Sequence, residues 1–199
     1  MDGTRREWLR NAAIAASLGQ LNAEEMQHVH QQAAKEKQAA GAYNPKALNE
    51  HEWKTVARLA DLIIPPEGSE PGGAGAGAPE YIDLLCSGSE EMSRIWLGGL
   101  AWLDAESRRR FDAAFIEAKA ARQTELLDLI AYRKNDTPEL GPGIRFFDWA
   151  RRMVVDAYFT SPAGVKAVGY KGNVGQAQFQ VPKEALDYAI ARSPFRGER

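Results

Sequence analysis

Three aspartates on helical stretches, one cysteine and three histidines carry most of the acid–base, nucleophilic or metal chemistry this sequence offers. Cys86 is followed by Ser87 and Gly88 and has no histidine near it in sequence, so a nucleophile–base pair would need His51 brought through the fold. A buried structural thiol is the expectation for it. His28 and His30 stand two apart, which puts them on different faces of a helix, and no third ligand follows. His51 stands alone at an expected helix start. Asp61, Asp83 and Asp148 each lie on a predicted helix, and nothing in their spacing brings them together. A single cysteine excludes an internal disulfide and a cysteine-based metal or iron–sulfur site, and without C-x-x-C-H the chain attaches no c-type haem. The sequence therefore predicts no catalytic, cofactor-binding or metal site in this chain.

Phosphate chemistry fares no better. Gly73-Ala74-Gly75-Ala76-Gly77-Ala78 imitates G-x-G-x-x-G/A, but that fingerprint needs a strand running into the glycines. Here a helix, Pro65-Pro66 and polar residues precede it, so the stretch reads as a flexible connector with Pro79 in the first turn of the next helix. Arg108-Arg109-Arg110 reads as a solvated helix face, being surrounded by Asp104, Glu106 and Asp112. A net charge of -2 and a pI near 6.0 give no electrostatic case for nucleic acid.

The elements that must hold these residues read as helices throughout. Hydrophobic content of 44% and charged content of 26% over 199 residues allow one domain with a real core. Residues 1–20 have the layout of a twin-arginine signal: Arg5 and Arg6, then Trp8 and Leu9, then a mild small-residue stretch. No A-x-A site follows, which leaves cleavage open. Residues 21–47 are polar and read as an arm or linker. The domain is expected over 48–192, with a tail over 193–199. Asn49 and Glu52 form a capping-box pattern ahead of Trp53, Val56, Leu59, Ala60, Ile63 and Ile64, and Pro65-Pro66 stops that helix. A second helix from Pro79 breaks at Ser87-Gly88-Ser89, and a third runs from Glu90 to Leu103 with Gly98-Gly99 allowing close packing. Asp104 and Thr124 are read as caps of two further helices, and Gly141-Pro142-Gly143 as part of a long turn. Apolar residues from Phe146 to Tyr158 recur at helical spacing, and a last short helix is read within 182–191. Trp96, Trp102 and Trp149 are assigned to core packing rather than to a binding pocket. The sum is an all-α protein: one irregular helical domain of about five to seven helices with long loops. No apolar run is long enough to span a bilayer.

After that helix, Tyr158 to Gly175 combines glycines and a proline with exposed-type aromatics, a composition for a shaped loop rather than a linker. Irregular segments carrying apolar anchors are where interfaces concentrate, so Pro65, Pro66, Ser161, Pro162, Gly169, Tyr170, Gly172 and Asn173, with the Gly/Ala connector, are expected to face a partner.

Three stretches carry a family resemblance: LADLIIP (59–65) with YIDLL (81–85), LGGLAWLD (97–104), and FFDWARRMVVDAYFTSPAGVKAVGYKGN (146–173). Together they resemble the gluconate 2-dehydrogenase subunit 3 family over about residues 48–175. The resemblance implies a non-catalytic small subunit, without a cofactor of its own, paired with an FAD-containing large subunit of the glucose–methanol–choline type. Such a complex oxidises a sugar, sugar acid or glycoside and passes electrons to a c-type cytochrome carrying haem c. It also implies export by the twin-arginine translocon, with the small subunit's signal carrying the folded flavoprotein to the periplasm or the periplasmic face of the inner membrane. The competing reading is an independent periplasmic helical binding module with no redox partner.

Overall fold

The computed structural model describes residues 23–170 and 181–193. Arg5, Arg6, Trp8, Leu9, Gly172 and Asn173 lie outside the described residues. Those described form helices, turns and one isolated two-residue bridge between Glu67 and Glu70. The helices are α1 (Ala23–Ala40), α2 (Glu50–Ile63), α3 (Ala78–Gly88), α4 (Glu90–Phe111), α5 (Ala120–Ile130), α6 (Gly141–Thr160), α7 (Pro162–Ala167) and α8 (Lys183–Arg192), with a 3-10 turn at Arg133–Asn135. The protein is all-α, with one helix more than the upper expected number among the described residues.

The chain divides into two compact units at Gly169/Tyr170. In the first, α6 is the hub and packs against α1, α2, α3, α4, α5 and α7, while α3 also meets α1, α2 and α4. The sequence builds α6 for this role by placing Ile144, Phe147, Ala150, Val154, Ala157 and Tyr158 at helical spacing, all buried. Trp96 of α4 is fully buried, sets its ring edge-on to Phe146 at 5.5 Å and donates its indole N–H to Met153 Sδ at 3.3 Å. Gly99 makes that approach possible, because a Cβ there would overlap the Phe146 ring. In the second unit, α8 carries Lys183–Asp187 at 2.8 Å and sets the Arg192 guanidinium 3.7 Å over the Tyr188 ring, with Leu186, Tyr188 and Ile190 exposed.

Local punctuation fixes where helices begin and end. Asn49 accepts from Glu52 N at 2.9 Å while Glu52 accepts from Asn49 N at 2.8 Å, the reciprocal cap its sequence pattern predicts. Ile64 is extended, φ -127 and ψ 91, ahead of Pro65, and α2 ends at Ile63. Ser89 ends the α3 region and caps α4 by accepting from Met92 N.

Elsewhere the structure departs from the sequence reading. Residues 23–40, expected as a tether or a loosely helical arm, form the helix α1, and it is packed: Val29 and Ala33 are buried with Met26 beside them. Asp104 caps no helix: α4 runs through it to Phe111, and its buried carboxylate accepts from Phe115 N at 2.9 Å and meets His51 at 2.6 Å. Phe115 lies in the turn after α4. Thr124 sits inside α5 and returns its hydroxyl to the Ala120 carbonyl, while Lys119 holds the cap position. Gly141-Pro142-Gly143 is the first turn of α6, with proline where the missing N–H costs nothing. Trp149 is 38% exposed and is not a core residue.

Candidate functional site

The three aspartates weighed for chemistry are taken up in hydrogen bonds and ion pairs, while His28 is exposed on α1. Asp83 is fully buried and accepts four hydrogen bonds: from Lys46 N and Tyr43 Oη on Oδ2, at 2.8 and 2.7 Å, and from Ala47 N and Leu48 N on Oδ1, both at 2.9 Å. It fastens the segment between α1 and α2 onto α3. Burial, together with this carboxylate, holds the Tyr43 hydroxyl protonated well above its usual range. Asp61 accepts from Ala74 N at 2.9 Å and so ties the Gly/Ala connector to α2. Asp148 meets Arg133, Arg151 and Arg152 at 3.0–3.2 Å on the surface. Partial desolvation opposes it, yet Arg152 and the other two guanidinium groups keep Asp148 below the ordinary carboxylate range. The three aspartates therefore do not meet.

Cys86 is buried, and burial with the nearby Asp83 and Glu52 carboxylates pushes its thiol up to about 12. At neutral pH it is an inert thiol. His51 is engaged with Asp104 rather than with Cys86. The Arg109 hydrogen bond, joined by Arg110, holds Glu106 below its usual range, which accounts for the arginine run as a paired helix face. Among the described residues no group of three or more His, Cys, Asp or Glu side chains is placed to hold a metal ion, and no helix is long and apolar enough to cross a membrane.

Packing brings two of the segments expected at an interface onto one face of the first unit. The connector is not a free tether: Gly73 N donates to Ile64 O at 2.8 Å, and a Cβ on Gly73 would lie 2.6 Å from the Ala60 carbonyl oxygen. The Ser161-Pro162 break likewise opens α7 instead of a loop. Ser161 Oγ donates to Tyr158 O at 2.7 Å and accepts from Gly164 N at 3.0 Å. Gly164 sits against the Tyr158 carbonyl with no room for a side chain. Lys166 of α7 reaches Glu70 of the connector at 3.9 Å. Pro65, Pro66, Pro162 and Gly169 are exposed, Ser161 is buried, and Tyr170, which begins the second unit, is 62% exposed.

Between α1, the connector and the α6–α7 corner lies a cleft of about 480 Å³. Gln27, His30, Gln31, Ala33, Ala34 and Lys37 of α1 form one wall at helical spacing, with Ala33 at the buried margin that continues to Val29. Glu80 and Gly75–Gly77 face it, and Thr160, Pro162 and Val165 complete it. Desolvation lowers the His30 pKa below its ordinary value against a hydrogen bond to the Ala157 carbonyl, so its imidazole is neutral at pH 7. Its Nε2 lies 3.2 Å from Thr160 Oγ1, and Thr160 gives its own proton to Asp156 O at 2.6 Å. These contacts assign the proton to Nε2, which leaves Nδ1, beside Gly77, as an acceptor. Sequence reasoning missed this cleft. Its one available signal is the pairing of a polar stripe in an alanine-rich helix with a glutamate just after a glycine run.

A family model described as gluconate 2-dehydrogenase subunit 3 matches residues 50–175. That is more than half of the chain, and the chain belongs to this family. Neither the curated proteins nor the solved structures contain a significant match to it.

Proposed function

We propose that this chain is the non-catalytic small subunit of a heteromeric FAD-dependent dehydrogenase of the glucose–methanol–choline type, acting on a sugar, sugar acid or glycoside. Its work is to support assembly and stability of the flavoprotein subunit and to carry it through the twin-arginine translocon to the periplasm. Flavin belongs to the partner and haem c to an associated cytochrome; this chain supplies surfaces. The observation that carries the reading is the family match over residues 50–175. It is supported by the engagement of Asp61, Asp83, Asp104 and Asp148 in backbone or ion-pair contacts, which leaves those carboxylates as staples rather than reagents. The exposed Pro65, Pro66, Pro162 and Tyr170 are the proposed contact positions on this chain, continued by Gly172 and Asn173.

Export tests the escort role. Arg5→Lys with Arg6→Lys keeps the charge but removes the paired guanidinium groups. With these changes the dehydrogenase activity is expected to move from the periplasmic fraction to the cytoplasm, with total activity preserved. Unchanged periplasmic activity in that variant contradicts the export role while leaving assembly to be judged by co-purification.

A further inference from the structure

The cleft beside α1 holds a carboxylate whose hydrogen bonding is incomplete. Among the described residues Glu80 Oε2 is buried without a hydrogen-bond partner, and Oε1 has Lys37 Nζ at 3.9 Å, beyond hydrogen-bond range. The Glu80 side chain is 16% exposed, so water reaches little of it. A carboxylate held out of water without donors costs free energy unless something supplies them. Glu80 lies in the first turn of α3, and its carboxylate torsion is soft enough to present either oxygen to the cleft. His30 adds a second unused acceptor, Nδ1, and Gln27 and Gln31 add amide oxygens. Lys37 stands on the Oε1 side of Glu80, too far to hydrogen-bond it, and the acceptors that remain around this anion are complementary to a cation with several donors; a guanidinium has five in a planar fork.

We propose that this cleft receives an arginine side chain presented by a polypeptide partner, with Glu80 as its anionic anchor and His30 as a neutral acceptor beside it. A free amino acid fits less well: its α-carboxylate needs a cation, and Lys37, the one ammonium lining the cleft among the described residues, already faces Glu80. Ala34, Pro162 and Val165 offer apolar contact to the arginine stem and its neighbours, while Gln27 and Gln31 can pair with a peptide backbone. That the partner is the flavoprotein subunit rests on the function proposed above; the guanidinium chemistry does not.

The test uses the full chain and a small probe, N-acetyl-arginine amide, followed by NMR. The expected result is saturable shifts at Gly75–Gly77 and His30 with a dissociation constant in the millimolar range. The isosteric, uncharged citrulline amide and the Glu80→Gln variant should each bind about tenfold more weakly or worse. Glu80→Gln should melt within a few degrees of the parent, because a carboxylate with no hydrogen bond is not a staple. Absence of saturable shifts, equal binding of the citrulline amide, or full binding by Glu80→Gln overturns the proposal. A marked fall in melting temperature in Glu80→Gln makes Glu80 structural and overturns it as well. Binding of free arginine but not of the blocked amide points to a small-molecule site and overturns the polypeptide occupant. None of these outcomes depends on whether a flavoprotein associates with the chain.

Discussion

Replacing Asp83 by asparagine removes half of a clamp and leaves its shape. The amide oxygen can keep the bonds from Ala47 N and Leu48 N, both 2.9 Å, which puts Nδ2 where Oδ2 stood. There it faces Lys46 N, a donor at 2.8 Å, and Tyr43 Oη at 2.7 Å. The Tyr43 hydroxyl can turn to accept, whereas the Lys46 amide cannot, so one donor loses its partner at about 1–3 kcal/mol. The surviving bonds also change from charge-assisted to neutral, at roughly 1 kcal/mol each. Asp83 is 0% exposed, so water offers no substitute. The total is about 3–5 kcal/mol, a large share of the ~5–15 kcal/mol that holds a typical domain. A fall in melting temperature of about 10 °C follows at this chain length. Urea denaturation of the full chain followed by circular dichroism reads it directly, with Asp148→Asn as the control. Asp148 is held by exposed arginines, and its loss should cost about 1 kcal/mol or less. Equal effects of the two substitutions, or a change below about 1 kcal/mol in Asp83→Asn, refute the reasoning.

Other perturbations have equally definite outcomes. Gly99→Ala forces the Phe146 ring away from Trp96 and should cost about 1–3 kcal/mol by thermal melt, whereas Gly98→Ala, where a Cβ meets nothing, should be neutral or slightly stabilising. Cys86→Ala leaves a small cavity and costs stability, but activity of an assembled complex should stay near normal; complete loss without unfolding would make the thiol functional. The folded His30 pKa lies below its unfolded value, so the unfolded chain takes up the proton first and this residue's contribution to stability is full above pH 6.5 and falls as pH drops through that value. His30→Gln should flatten that part of the stability–pH curve, and an unchanged slope would remove burial of the ring as the cause. Tyr170→Ala should weaken association with the flavoprotein more than it lowers the melting temperature, since the ring is 62% exposed; the reverse pattern makes it a packing residue.

Helix ends were the most legible part of this chain, because their determinants lie within four residues of each other. The Asn49–Glu52 box, Pro65-Pro66 and Ser161-Pro162 each act through local backbone chemistry and appear in the structure where the sequence puts them. What escaped the sequence depends on distant partners. Asp104 resembles a cap by its neighbours, but its carboxylate is engaged by His51, 53 positions upstream, and by Phe115 N beyond the end of α4. α1 hides its packed edge because Val29 and Ala33 are small, and burial of small side chains leaves little trace in a hydrophobicity pattern. The connector composition, glycine and alanine, is the same for a flexible tether and for a backbone pressed against α2; the Ala60 and Ile64 carbonyls and the Asp61 carboxylate distinguish them. The cleft required α1, the connector and the α6–α7 corner together, so no single stretch announced it.

The proposed role turns on where the flavin resides. Affinity-tagged chain purified from its native membranes, and then separated from its partners under conditions that keep flavin bound, gives the direct test through visible absorbance of each fraction. The account predicts a co-purifying large subunit that retains all the flavin and the dehydrogenase activity, with none on this chain. Stoichiometric flavin on this chain after separation, or a preparation with no flavoprotein in it, contradicts the account.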